Sequence, residues 1–528
     1  MNYNLKVFFI IQLVMLNVKM TLSQVSQNWT ARYSSTLASI DGGKAIVVDS
    51  IGNIYTTGAS NGDFATIKYS PSGNQQWVSR FNGFGNGPDI PNAMVIDSKG
   101  NIYVTGSSQY NSSNVDFVTI KYSSDGYQLW IARYPGIGNQ NFPTSMAIDK
   151  FDNIYVTGKN FEYYATIKYD SSGIQQWLAE YSAPVYQDIP WAIAVDDSCN
   201  VYITGESMSD IVTIKYNSSG TQKWVSSYSG QMNRQDFALS IGLDSSLNVY
   251  VSGSSVENTD IYGGYVTVKY NPLGIEQWVR YYEGSGNFID IVESMKVDKY
   301  GNAYVTGYST ESGQGYNMTT IKYNTNGDTM WKKSYNNGSN DIAFGVAFDI
   351  QGNVYVTGQS DGSGTNEDYA TVKYNSFGVQ QWVKRYDYSG QFGDYPQDIV
   401  VDNIGSVFVT GQSNRDFLTV KYSQLTGAII NESIIPTEYN LSQNYPNPFN
   451  PNTIINYQCS IRHGGSNYVS LKVYDVLGNE VRTLVNENKP AGNYEIEFDG
   501  SRLSSGIYFY SLIIDGKLKD SKRMVLLK

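Results

Sequence analysis

The strongest constraint on this 528-residue chain is an internal repeat. The segment Asn101-Ile102-Tyr103-Val104-Thr105-Gly106 recurs at 53–58, 153–158, 200–205, 248–253, 302–307 and 353–358, and in drifted form at 406–411. Successive copies of the eight lie 47 to 54 residues apart. A period of roughly 40–50 with four strands per unit is the signature of a propeller blade. The first strand of each unit ends in an aspartate: Asp49, Asp97, Asp149, Asp196, Asp244, Asp298, Asp349 and Asp402. A short turn leads to the Asn-Ile-Tyr-Val-Thr-Gly strand, and a third strand follows, as in Phe64-Ala65-Thr66-Ile67-Lys68-Tyr69. A turn of the form Asn217-Ser218-Ser219-Gly220 then opens a fourth strand that carries a tryptophan. Alternating character bounded by Gly, Asn, Ser and Asp predicts strands and hairpins throughout.

The tryptophans predict how the ring is built. Trp77, Trp130, Trp177, Trp224, Trp278, Trp331 and Trp382 each sit four residues after the turn glycine of their own unit, whereas the eighth unit has Gly427 followed by Asn431. Its missing strand is at the other end of the chain, where Trp29-Thr30-Ala31-Arg32-Tyr33 matches Trp130-Ile131-Ala132-Arg133-Tyr134. The expected fold is therefore all-β: an eight-bladed propeller closed by the N-terminal strand, with seven blades plus an irregular unit as the alternative. Closure of this kind removes the free edges of an open array.

Composition agrees and narrows the chemistry. Charged residues make up 16%, against about 25% in an ordinary soluble protein. Tyr and Gly are abundant, at 45 and 50 residues, and His occurs once. One histidine leaves little room for His-based metal cages or Ser/His/Asp catalysis, and no cofactor or metal is expected. A net charge of −11 argues against a nucleic-acid partner. The tail 431–528 holds 10 Lys/Arg and 10 Asp/Glu and the leader 1–23 two Lys, which leaves 25 basic and 38 acidic residues, or −13, in 24–430. Cys199 and Cys459 lie in different predicted domains and are expected to be unpaired structural thiols.

Both ends of the chain carry addresses. Lys6 precedes the apolar run Val7–Leu16, and Thr21 and Ser23 are suitably placed for cleavage before Gln24. That run is too short to span about 30 Å of hydrocarbon, so 1–23 is expected to be a cleaved signal peptide. No transmembrane segment is predicted elsewhere. The composition shifts after Tyr422, giving a linker at 431–439 and a last domain at 440–528.

The units resemble the bacterial β-propeller repeats of the SBBP type, in which Asp-x-x-Gly-Asn-x-Tyr-Val-Thr-Gly is followed by Thr-Ile-Lys-Tyr. The resemblance covers about 43–422. More loosely, the step from Lys215-Tyr216-Asn217-Ser218-Ser219-Gly220 to Trp224 is similar to the Trp-docking motif of quinoprotein-like propellers. Neither resemblance brings a catalytic residue with it, and the adjacent cysteines of quinoprotein dehydrogenases are absent.

The tail is identified as a member of the C-terminal sorting domains of the type IX secretion system. The residues that carry this are Asn444-Tyr445-Pro446-Asn447-Pro448-Phe449, Val473-Tyr474-Asp475-Val476-Leu477-Gly478, Ser505-Gly506-Ile507-Tyr508 and the terminal Lys522-Arg523-Met524-Val525-Leu526-Leu527-Lys528. The resemblance implies a small Ig-like sandwich read by the outer-membrane export machinery. It further implies that the mature protein is secreted or sits at the outer cell surface. The insertion 461–467, which holds the only histidine, departs from the family in a loop.

Candidate site residues come from positions repeated once per unit. Eight residues before each strand-ending Asp stand Asp41, Asp89, Asn141, Asp188, Asp236, Asp290, Asp341 and Asp394. If their strand is innermost, they ring one mouth of the channel and focus a negative potential on a cation. The competing reading is that each caps a turn by accepting backbone N–H bonds, as a repeated turn requires. The strand-ending aspartates and the lysines Lys68, Lys121, Lys168, Lys215, Lys269, Lys322, Lys373 and Lys421 are expected to form pairs within blades. Trp191 stands outside the tryptophan register and is the best single candidate for a ligand-facing aromatic. No unit-specific carboxylate pair stands out of the eightfold pattern. The expectation is thus a displayed, non-catalytic binding or adhesion module for a glycan, peptide or cation. The alternative is a secreted propeller glycosidase or lyase. Deleting 440–528 is expected to strand the protein in the periplasm on cell fractionation; normal export of the truncated chain would sink the assignment of the tail.

Overall fold

A computed structural model describes residues 25–424 and 439–528. It leaves out 37–39, 84, 86, 112–113, 183–187, 231–233, 257–262, 287–289, 339, 362–365, 389–391, 445–446, 460–466 and 490–491. The leader 1–23, nearly all of the linker 431–439, Tyr445, Pro446 and the histidine therefore lie outside the described residues. The described residues form strands and no helix, and the chain divides into two compact units, 1–424 and 425–528. Cys199 and Cys459 are both free and buried, one in each unit.

The first unit holds eight four-stranded antiparallel sheets. Seven are built from four consecutive strands, such as Asp41–Val48, Ile54–Ser60, Asp63–Tyr69 and Gln75–Phe81. The eighth consists of Asp394–Val401, Val407–Ser413 and Asp416–Gln424, with Val25–Tyr33 as its fourth strand. Register makes this addition equivalent to the rest. Trp29 opposes Lys421 just as Trp77 opposes Lys68 and Trp130 opposes Lys121, and each pairing is followed by the same one-residue bulge. We number the sheets one to eight by their first strands. Those first strands touch in chain order from sheet one to sheet eight, and the strand of sheet eight also touches that of sheet one. They are the inner strands.

Each sheet is covered on both faces, so its second and third strands are apolar almost without break: Ile54–Ser60 and Asp63–Tyr69 are buried at nearly every position. The layers between sheets are filled by repeated aromatics. Trp77 lies 6.0 Å from Tyr55 within its own sheet, and Trp130 lies 5.8 Å from Tyr103 in its own and 6.4 Å from Tyr169 in the next.

One contact recurs between sheets. The indole Nε1–H of Trp29, Trp77, Trp130, Trp177, Trp224, Trp278 and Trp331 donates at 3.0–3.2 Å to a turn carbonyl of the following sheet, as Trp77 does to Ser124. The ring lies against that turn's glycine, where an added Cβ of Gly126 would run into Trp77. These turn glycines have φ of +76° to +87°, so both conformation and space require glycine.

The lysines use the same acceptor. Lys68, Lys121, Lys215, Lys269 and Lys421 donate to the next sheet's turn carbonyl at 2.8–3.5 Å. All eight lysine ammoniums also sit 4.7–5.2 Å from an aromatic ring of their own sheet. This corrects the expected Asp–Lys pairs. Lys121 and Asp97, at 3.5 Å, do form such an ion pair. The aspartates are occupied by their own turns: Asp49 Oδ1 accepts from the backbone N–H of Ile51 and Asn53, and Oδ2 from the Asn53 amide and the Tyr55 hydroxyl.

The second unit has two sheets around one core. One contains Asn440–Leu441, Asn452–Cys459 and Gly492–Asp499; the other contains Glu480–Lys489, Asn467–Tyr474, Gly506–Ile514 and Lys517–Leu526. Ile455 and Phe498 from the first meet Leu471, Tyr510, Leu512 and Met524 from the second.

Removing 24–34, or substituting Trp29→Ala, is expected to destabilise the first unit as much as Trp77→Ala does. The cost of either substitution is about 3–5 kcal/mol in a denaturant titration. An unchanged midpoint for the Trp29 variant would show that its strand is not equivalent to the other outer strands.

Candidate functional site

The predicted acidic ring is real as a repeat and closed as a site. Asp41, Asp89, Asn141, Asp188, Asp236, Asp290, Asp341 and Asp394 are all 0–1% exposed. Six of the carboxylates accept a backbone N–H from the loop leading into their strand: Ser35 to Asp41 at 3.1 Å, Gly83 to Asp89 and Gly230 to Asp236 at 2.5 Å, Gly284 to Asp290, Asn337 to Asp341 at 2.8 Å, and Tyr388 to Asp394 at 2.9 Å. Asn141 does the same job with reversed polarity, donating to the carbonyls of Pro135 and Val115 at 2.8 and 3.1 Å. Burial holds the carboxyls of Asp89, Asp290, Asp341 and Asp394 above their ordinary range, with the hydrogen-bond donors pulling the other way. The expectation of an open negative mouth is corrected: these groups fasten loops and do not face solvent. Asp394 also lies with Asp368 and Asp387 in a group whose carboxylate oxygens are within 4.8 Å of one another, but Asp368 is held by Arg385 at 2.5 Å.

The open positions lie three residues further along. Every inner strand has a bulge at its fourth position, counted from the Asp/Asn residue. The glycine of the Thr-Gly segment permits it, because an added Cβ on Gly106 or Gly158 would fall onto the backbone of the strand opposite, at Ile90–Pro91 or Phe142–Pro143. The bulged residues, in sheet order, are Lys44, Asn92, Thr144, Trp191, Leu239, Glu293, Phe344 and Gln397, all half-buried or exposed. Trp191 is 37% exposed. No two are alike, in a unit whose neighbouring positions repeat.

Burial pushes the Glu293 carboxyl up to about 7, against the pull of the Lys44 ammonium. Glu293 is in sheet six and Lys44 in sheet one, whose inner strand packs on those of sheets two and eight. Their inner strands are not neighbours. Asp398 of sheet eight, where the other inner strands carry Ala, Ser or Gly, likewise has its carboxyl raised by burial and opposed first by Lys296 of sheet six. Both acids are half-buried, and the protein around them disfavours their charged form. Asp398 accepts from the N–H of Ile46 at 3.0 Å and of Ile399 at 2.8 Å.

Around this centre the residues divide by character. Sheets eight, one, two and three offer Gln397, Lys44, Asn92 and Thr144, linked by hydrogen bonds such as Lys44 Nζ to Gln397 Oε1 at 3.3 Å and Asn92 Nδ2 to the Pro143 carbonyl at 2.6 Å. Sheets four, five and seven offer Trp191, Leu239 and Phe344, with Glu293 of sheet six between the last two. No unit-specific carboxylate pair is expected; single unit-specific charges nonetheless break the eightfold pattern at Lys44, Glu293, Lys296 and Asp398. Trp191 stands exposed at the bulge of the fourth sheet, whereas the repeated acidic positions are buried. The missed residues had a sequence signal: one column of the repeat that never repeats.

In the second unit the sorting residues serve the sandwich. Phe449 and Met524 are buried, and Phe449 bonds through its backbone to Val525 and Leu527 at 2.9 and 3.0 Å. Asn447 Oδ1 accepts from Val525 N–H at 2.9 Å, and buried Asn444 donates its N–H to the Tyr510 hydroxyl at 2.7 Å. Gly478, with φ of +83°, closes a turn whose Asp475 accepts two backbone N–H groups as Asp49 does. Tyr508 donates to the Ser504 carbonyl at 2.9 Å, two residues before Gly506 opens its strand. Lys522 pairs with Asp520 at 3.1 Å, and Lys528 Nζ donates to the Ser501 carbonyl at 2.6 Å. Tyr445 and Pro446 lie outside the described residues.

Raised above its unfolded value of 4.5, the Glu293 carboxyl contributes stability that is full below about pH 4.5 and lost as pH rises through about 7. The melting temperature of the Glu293→Gln variant minus that of the wild type is therefore expected to grow from about pH 5 to pH 8. A pH-independent difference would show that Glu293 is solvated.

Two family models match parts of the chain. Residues 443–527 match the secretion system C-terminal sorting domain, and 76–111, 129–159, 277–313 and 336–364 match the β-propeller repeat. No curated protein is similar enough to count as a relative. Similar solved structures include a catalytically inactive virginiamycin B lyase from Staphylococcus aureus with quinupristin, at 12% identity, covering 63% of this chain and 94% of that one with a TM-score of 0.41. The β-propeller domain of the trilobed protease from Pyrococcus furiosus gives 8%, 64%, 95% and 0.40. Drosophila Plexin A in complex with semaphorin 1b gives 8%, 66%, 87% and 0.38.

Proposed function

We propose that this chain, a run of β-propeller repeats followed by a secretion-system sorting domain, is an exported binding module that takes its ligand on the axis of the inner strands. In this reading the eight sheets are the blades of one ring, closed by the pairing of Val25–Tyr33 with Asp416–Gln424. The two-sheet tail is the Ig-like domain that the type IX machinery reads. The ring is then secreted or displayed at the outer surface, and no described helix is long and apolar enough to cross a membrane.

The observation that carries the binding reading is the column Lys44, Asn92, Thr144, Trp191, Leu239, Glu293, Phe344 and Gln397. Positions that hold the ring together repeat; the bulge position on the inner strand differs in every unit. A repeated scaffold that converges eight different side chains on one point has the composition of a recognition site, mostly apolar with a few placed polar groups. A second reading, a carbohydrate-active enzyme, draws on one group. Glu293, raised to about 7, has the acidity of a general acid or base.

Glycan and peptide arrays probed with the full-length mature chain, run beside a hydrolase and lyase screen, separate the two. The expected result is a bound class lost in Trp191→Ala, with no turnover of any substrate. Turnover abolished by Glu293→Gln would replace the binding reading with the enzymatic one.

A further inference from the structure

We propose that the axial site recognises an organic cation, an ammonium group carried on an aromatic or aliphatic body. This rests on the binding reading above and names its ligand class. Glu293 is the group that points to it. Among the described residues no donor hydrogen-bonds its carboxylate, although Asp398, the other unit-specific acid of the inner strands, accepts two backbone N–H bonds. A half-buried acid left without a donor is costly to ionise, and a positive ligand relieves that cost.

Its surroundings suit an organic cation better than a bare ion. Leu239 and Phe344 occupy the same strand position in the sheets on either side of Glu293, and Trp191 occupies it one sheet further on. That arc carries no lysine or arginine at the bulge. Aromatic faces beside a carboxylate add cation–π attraction to the ion pair and cover an apolar body. The charges facing the site can be named. Lys44 lies on the far arc and is engaged with Gln397, while Lys296, on the same strand as Glu293, acts on Asp398. Asp290 at the start of that strand is buried and bonded to Gly284 and Thr310, and the Tyr265 and Tyr308 hydroxyls nearby stay protonated because burial raises both. At longer range the −13 of residues 24–430 draws cations towards the ring and repels anions.

Calorimetry on the full-length mature chain tests the inference with three probes of one shape: 2-phenylethylamine, neutral 2-phenylethanol and anionic phenylacetate. The expected result is binding of the amine alone, weakened about tenfold by Glu293→Gln. Lys44→Met is expected to tighten it, because the substitution removes a competing charge. Affinity is also expected to be about tenfold higher near pH 8 than near pH 6, as Glu293 ionises through about 7. Thermal melts establish that both variants are folded. Tighter binding of phenylacetate, loss of binding in Lys44→Met, indifference to Glu293→Gln, or no binding of the amine each overturns the inference. An array ligand that depends on Trp191 but not on Glu293 overturns the cation and leaves the binding reading standing. Loss of both overturns the two together.

Discussion

Everything in the first unit depends on one contact between neighbouring sheets: an indole laid on the glycine of the next sheet's turn, with its N–H on that turn's carbonyl. A four-stranded sheet of this sequence is apolar on both faces and cannot persist alone in water. It has to be covered twice. The Trp–turn contact fixes the distance and rotation at which covering happens, and the lysine opposite each tryptophan adds a second donor to the same oxygen. At the Pro71 carbonyl these donors are Trp29 and Lys421, one from each end of the unit. The contact that joins any two sheets thus also joins the chain's beginning to its end, in the same register.

A second constraint follows from the first. Identical interfaces make identical sheets, yet recognition needs asymmetry. The inner-strand bulge reconciles the two demands. The glycine opposite it leaves room for the bulged backbone, so one residue per sheet is released from the hydrogen-bonding register that binds its neighbours. Lysine, tryptophan or glutamate can stand there with no loss to the interface. Stability and recognition are assigned to different columns of the same repeat.

That division explains what could be read from the residues alone. Repeat length, strand count, the tryptophan register and the displaced first strand all follow from local periodicities, and local periodicity is visible in a string of letters. The fate of a charged side chain is not. The lysine after Thr-Ile was paired with the nearest repeated acid, but its ammonium lies over a tyrosine ring and reaches the adjacent sheet, a distance set by packing between units. The recurrence of Asp89 and its counterparts fits a channel mouth as well as a loop cap, and only their burial and backbone donors distinguish the two. Glu293 and Lys44 are nearly 250 residues apart, and only the return of the sheets around the axis sets them opposite each other. Variation within an otherwise regular column was nonetheless legible, and it deserved as much weight as the recurring acids.

The pairing of the first strand with the last also sets an order of events. Arg32 and its partner Asp416 are 384 residues apart, so the chain must be synthesised almost in full before the pairing can form. Until then the first strand has no neighbour, and sheet one has no indole on its turn. Closing so long a loop is slow and entropically costly, and it comes after the local hairpins have formed. The sorting residues begin at Asn444, about 20 residues beyond the last strand of the ring. Pairing of the first strand with the last and appearance of the tail therefore fall within the same short stretch of synthesis, and a chain truncated before its tail is also one in which that pairing is barely complete.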